Sequence, residues 1–167
     1  FNALVGTYTP ATGATTSTFT YTLLGTAPCI DVSSVATVNI NPQHIAGFDG
    51  STTICDSNSA VIDLFSLITG EQSGGTWTQV SGSGGTFNSG VGTFTPATGA
   101  TTSTFNYFMA GTAPCVDDNS LATITINPQP VAGSDGGITI CDSSTTTIDL
   151  FSLITGEQTG GTWTQNS

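Results

Sequence analysis

The sequence predicts an all-β protein of tandem β-sandwich modules with an 86-residue repeat, and three observations carry that prediction. The stretch VGTYTPATGATTSTFTYTLLGTAPC at 5–29 returns as VGTFTPATGATTSTFNYFMAGTAPC at 91–115. Residues 1–81 match 87–167 at 57 of 81 positions without an insertion, so Cys29 answers to Cys115, Cys55 to Cys141 and Trp77 to Trp163. A constant period of this length marks a module used repeatedly. Second, short runs alternate polar and apolar residues with period two, between Gly- and Pro-rich turns, as half-buried strands do. Third, the chain holds 33 threonines and 21 glycines but only 7% charged residues, a composition suited to strands with one face in water.

Taken in order, Thr7–Thr9 alternates before Pro10, ATGATT is a loop, and 18–24 (TFTYTLL) is a strand ending at the turn GTAP before Cys29. VATVNI at 35–40 is a further strand. NPQHIAG, which returns as NPQPVAG, has the Pro and Gly content of a linker. STTIC is a short strand ending at Cys55. VIDLFSLITG is the only helical candidate, of one or two turns, with Asp63 as its cap and Gly70 as its stop. GGTWTQ is a strand centred on Trp77, and SGSGGTFNSG is a loop or loose hairpin. With the linker at NPQ-x-(I/V)-AG, residues 42–127 form a complete β-sandwich module. Residues 1–41 are then the C-terminal half of a preceding module and 128–167 the N-terminal half of a following one. A chain that starts at Phe1 within a repeat reads as an internal piece of a longer protein.

Charge narrows the function. Eleven carboxylates stand against no Lys or Arg, for a net charge of −11. Nucleic acid and anionic membranes are excluded as partners, because both require cations to neutralise phosphate. Lys–Asn isopeptide cross-links are impossible for the same reason. No apolar run is long enough to span a bilayer. Four Cys without a CxxC pair, and a single His, argue for structural disulfides in an oxidising extracellular setting rather than for zinc.

In the 42–127 frame the order Cys55, Trp77, Cys115 is similar to that of immunoglobulin-like domains, whose core Trp packs near an inter-sheet disulfide. The frame favours a Cys55–Cys115 disulfide, with Cys29 and Cys141 pairing to adjacent half-modules, or with each other where the ends of neighbouring chains complete one another; the rival pairing is Cys29–Cys55 with Cys115–Cys141. A disulfide closing a loop that long is worth roughly 4 kcal/mol by chain entropy.

No catalytic constellation is legible. His44 is replaced by Pro130 in the other copy, so no catalytic or metal role can depend on it in both. The Thr-x-Thr triplets are too widely spaced for a flat ice-binding ladder, and 82–92 lacks the Lys of a phosphate loop. Without cations, the natural counter-ion is Ca²⁺, and Asp49 and Asp135 beside the linkers are its candidate ligands; the alternative is that both open plain Asp-Gly turns.

The run AGFDGSTTICDSNSAVIDLFSLITGEQSGGTW, followed by TFNYFMAGTAPCVDDNSLATITINPQPVAGSDG, resembles the tandem repeats of large secreted, SprB-type surface adhesins of gliding Bacteroidota. The matching features are the AG-x-DG opener, the Cys after it, L-F-x-x-L, GGTW, the aromatic strand before TAPC and the closing alternating strand, together spanning essentially the whole chain. The resemblance implies a very long cell-surface protein exported by the type IX route, with no catalytic residues. The expected function is a non-enzymatic repeat of an adhesin stalk or extracellular filament, with neighbouring copies of the module or chain as partners. The alternative is a carbohydrate- or surface-binding module, in which aromatics such as Phe87 and Phe94 would be exposed to contact a glycan.

Overall fold

A computed structural model gives the structure of this chain, described over residues 1–166. Among the described residues nine strands follow one another: β1 (Ser17–Leu23), β2 (Val32–Val38), β3 (Gly50–Cys55), β4 (Ile62–Asp63), β5 (Thr76–Ser81), β6 (Gly85–Asn88), β7 (Thr93–Pro96), β8 (Ser103–Met109) and β9 (Asp118–Asn127). Single 3₁₀ turns lie at Leu64–Ser66 and Leu150–Leu153, and no helix among the described residues is long and apolar enough to cross a membrane. The protein is all-β.

The strands form three sheets. The largest runs in the order β3-β9-β8-β5, a second in the order β4-β7-β6, and β1 and β2 make a separate two-stranded hairpin. All pairings are antiparallel except β3 with β9, which run parallel from Gly50 opposite Ala122 to Cys55 opposite Asn127. A parallel neighbour cannot be reached by a tight turn, so this pair is joined through the whole of the intervening sequence.

The alternation read from the sequence decides which faces are buried. On β8, Ser103, Phe105, Tyr107 and Met109 point inward, and on β9 Ser120, Ala122 and Ile124 do so. They meet Phe94 of β7, so the four- and three-stranded sheets share one core, with Phe94 and Phe105 ring centroids 5.0 Å apart. Phe65, Trp77 and Tyr107 form a second aromatic group, each pair of centroids 5.1 to 5.3 Å apart. Such tilted and edge contacts suit the ring quadrupoles. The Tyr107 hydroxyl donates to Gln72 O and accepts from Gly75 N–H, which satisfies its buried polar end.

Several local expectations change. The helical candidate is shorter than one α-helical turn: Ile62–Asp63 first pairs with β7, and only Leu64–Ser66 turns, with the Asp63 carboxylate accepting from Phe65 N–H as cap. The Gly-rich stretch takes the hairpin rather than the loop alternative, because Gly85–Asn88 pairs with β7. The linker is not free of the module: Ala46 is 0% exposed in the core, and its N–H donates to the Asp118 carboxylate. Thr7–Thr9 forms no strand; Thr7 makes only an isolated bridge to Asn2.

Gly92 shows why one glycine is fixed. It has φ +68°, and a Cβ there would lie 2.5 Å from Trp77 Nε1. Only a residue without a Cβ both adopts that backbone and leaves the indole room.

Candidate functional site

Of the residues singled out from the sequence, Cys55 and Cys115 lie at opposite ends of the core-bearing unit. Cys55 closes β3 and is half-buried, with its thiol 2.9 Å from Gln129 Oε1. Around it, Gln129 N–H donates to the Asp56 carboxylate and the Ser57 hydroxyl donates to Gln129 Oε1. Asp56 N–H donates to Asn127 O. One end of the unit is therefore Cys55 held against the segment 127–129.

Cys115 lies at the other end, in the loop between β8 and β9. Its thiol donates to Asn41 O at 3.3 Å. Asn41 Nδ2 donates to Ala113 O at 2.8 Å, and Gln43 Nε2 donates to Val116 O at 2.8 Å. The same Asn and Gln positions, one repeat apart, thus attend both cysteines.

This geometry corrects the favoured pairing. Cys55 sits opposite Asn127, the last residue of β9, while Cys115 precedes its first residue, Asp118. At about 3.3 Å per residue, the length of β9 holds them roughly 30 Å apart, several times the Cα separation a disulfide permits, at most about 6.8 Å. A Cys55–Cys115 disulfide does not form inside the unit, and all four cysteines are free thiols. The physical reason is the parallel β3–β9 pairing, which sends the end of β3 to the end of β9 rather than to its start.

Cys29 and Cys141, the repeat equivalents, are both exposed. The Ser143 hydroxyl donates to the Cys141 sulfur at 3.3 Å and, as the largest influence, holds that thiol below its ordinary pKa. The neighbouring Asp142 carboxylate opposes this shift.

Asp49 has a structural task. Its carboxylate accepts from Leu121 N–H at 2.8 Å and from the Ser120 hydroxyl at 3.4 Å, fastening the start of β3 to β9. Asp135 stands beside an isolated bridge between Ser134 and Thr155. Among the described residues no three His, Cys, Asp or Glu side chains gather closely enough to hold a metal ion. His44 is half-buried, and its main-chain oxygen accepts from Gln43 Nε2.

The aromatics expected to face a glycan are inside. Phe94 is fully buried, and Phe87 packs half-buried against Phe105, with centroids 4.9 Å apart. What the molecule does expose is apolar surface elsewhere. Phe1, Tyr8, Phe19, Tyr21 and Val35 line one concave face on the β1–β2 hairpin. Ala132, Phe151, Ile154 and Trp163 line another near the C-terminal end. Residue by residue these are the repeat equivalents of the two sides of the core, which alternation alone could have revealed once the repeat was aligned.

Comparison with protein families, curated proteins and solved structures finds no match to this chain.

Proposed function

We propose that this chain is a non-enzymatic structural repeat of a long, secreted cell-surface adhesin stalk or extracellular filament, built of immunoglobulin-like β-sandwich modules of 86 residues. The observation that carries the reading is the arrangement of β3 to β9. Seven strands in sheets β3-β9-β8-β5 and β4-β7-β6 enclose one core drawn from residues 46–124. Two packed, mostly antiparallel sheets around one core are the plan of an immunoglobulin-like sandwich, here with the first and last strands paired in parallel. On that plan we read 42–127 as the module, with 1–41 and 128–167 as halves of its neighbours.

Support also comes from what the polar groups do. Asp49, Asp63, Asp118 and Tyr107 all bind main-chain groups within the fold. Their work is fastening, which is what a stalk module asks of its residues. The resemblance to SprB-type adhesin repeats, the absence of Lys and Arg and the low charged content point to the same extracellular role, out of reach of trypsin-like proteases.

Immunogold labelling of intact source cells with antibodies against the folded chain tests this reading. Gold strung along thin projections outside the cell is the expected result. Label confined to permeabilised cells would overturn it.

A further inference from the structure

Resting on the modular reading above, we propose that the Asn-Pro-Gln tripeptide between consecutive modules is a two-sided clasp, gripped by the module before it and by the module after it. Across that clasp, Cys55 of one module and Cys115 of the next form a disulfide.

The tripeptide occurs twice, at 41–43 and 127–129, and the backbone enters and leaves it in the same way at both places. Before it, the hairpin pairs Ser17 with Val38 through Leu23 with Val32, the register of Ser103 with Ile124 through Met109 with Asp118. After it, Ile45 N–H donates to Gln72 Oε1 at 3.0 Å, and Gln72 N–H donates back to Ile45 O at 2.9 Å. Val131 and Gln158 repeat that exchange at 3.1 and 2.9 Å. Phe48 bridges Thr69 as Ser134 bridges Thr155. The two tripeptides therefore superpose, and contacts made at one apply to the other.

Those contacts come from opposite sides. At 127–129 the grip belongs to the preceding module. The Cys55 thiol and Ser57 hydroxyl donate to Gln129 Oε1, the Asp56 carboxylate accepts from Gln129 N–H, and Asp56 N–H donates to Asn127 O. At 41–43 it belongs to the following module. Asn41 Nδ2 donates to Ala113 O, Gln43 Nε2 donates to Val116 O, and the Cys115 thiol donates to Asn41 O. The two sets do not compete. The preceding module takes the carbonyl end of the Gln side chain and the following module takes its amide end. Only the Asn main-chain oxygen is shared, and its two lone pairs serve its two donors. One tripeptide thus holds both neighbours at once.

The same superposition gathers two thiols. Cys55 stands opposite Asn127 in the β3–β9 ladder, where neighbouring backbones run about 4.8 Å apart. Its sulfur lies 2.9 Å from Gln129 Oε1. The Cys115 sulfur lies 3.3 Å from the oxygen of Asn41, the equivalent of Asn127. Both sulfurs are therefore direct neighbours of one tripeptide, and a disulfide joins backbones about 4.4–6.8 Å apart. Inside a single module the same two cysteines stand at opposite ends of β9, so the bond runs only from one module to the next. It forms by exchange with a low-molecular-weight disulfide. One protein thiolate attacks a sulfur of the oxidant and expels the first oxidant thiolate. The second protein thiolate attacks the protein sulfur of the mixed disulfide and expels the other. The two protein thiols lose two electrons and two protons, which leave as two oxidant thiols.

The test uses the full chain with one extra copy of residues 42–127 inserted after Asn127, so that two complete modules meet at one Asn-Pro-Gln. The protein is oxidised with oxidised glutathione, and its monomeric fraction is digested without reduction at aromatic and acidic residues for mass spectrometry. A peptide pair joining Cys55 to Cys115 is the expected result. Because the two copies are identical, cysteine variants assign the bond. Cys55→Ser in the first copy, or Cys115→Ser in the second, should abolish the pair. The same substitutions in the opposite copies should leave it intact, and they serve as folding controls. The reverse pattern, or no such pair after full oxidation, would overturn the proposal. So would a Cys55–Cys115 pair in the monomer of the chain without the extra copy. Gln43→Ala in the second copy, which removes the clasp side chain, should lower the yield of the pair at a fixed oxidation time. An unchanged yield would overturn the clasp. Failure here leaves untouched the immunogold result that tests the stalk reading.

Discussion

The hairpins 17–38 and 103–124 share 13 of 22 residues and pair in the same register, yet they live in opposite environments. Tyr107 is 1% exposed and Tyr21 is 66% exposed. The pairing of two strands is a local matter, settled by the alternation of the strands themselves and the turn between them. Burial is not local: it needs the residues that supply β3, β5 and the Leu64–Ser66 turn, and only 103–124 has them in contact. Within this chain the two hairpins therefore share a register but differ in burial, and the difference can be measured position by position.

The largest expected contrast is at the tryptophans. Trp77→Ala removes an indole packed on Phe65 and Tyr107 and should cost the central unit about 3–5 kcal/mol. Trp163→Ala, on an exposed face in the single copy, should leave the main unfolding transition of monomeric chain in place. Urea unfolding followed by far-UV circular dichroism reads both; equal losses would break the comparison.

Next is the glycine pair Gly92 and Gly6, with φ +68° and +63°. Gly92→Ala meets Trp77 Nε1 as well as the strained backbone and should cost about 3 kcal/mol. A Cβ at Gly6 has nothing within 4 Å, and Gly6→Ala should not move the main melting transition in a thermal scan. A smaller contrast is Asp49→Ala, which frees the Leu121 N–H and should cost about 1 kcal/mol, against no change for Asp135→Ala in the monomer. The smallest is Val80→Thr on the exposed end of β5, expected within about 0.5 kcal/mol in the same scan.

Much of this was legible beforehand. The period-two runs placed β1, β2, β3, β5, β8 and β9 within a few residues, since inward Phe105, Tyr107 and Ile124 must alternate with outward polar residues. Asp63 read as a cap because a carboxylate before an apolar pair has few other uses. Other features had no local signal. Alternation does not say which strand lies beside which, so the parallel β3–β9 pair was invisible, and the cysteine pairing drawn without it joined opposite ends of one strand. β6 was legible only as one of two alternatives, because Gly84 just before it and Gly85 at its start suit a loop as well as a hairpin. There they give room instead, with a Cβ on Gly85 lying 2.5 Å from the Phe94 ring. Ala46 gave no sign of burial, being one small apolar residue inside a Pro- and Gly-rich segment.

The parallel β3–β9 pair has a mechanical consequence. In a string of modules, tension enters near the start of β3 and leaves at the end of β9. These two strands are hydrogen-bonded neighbours over six residue pairs and point the same way. Pulling one backward and the other forward loads all of their hydrogen bonds together in shear, along the strand axis, instead of peeling them apart one at a time. In the stalk proposed above, a module wired in this way would resist extension until the whole ladder yields together, with a high and abrupt yield force as the expected result of single-molecule pulling.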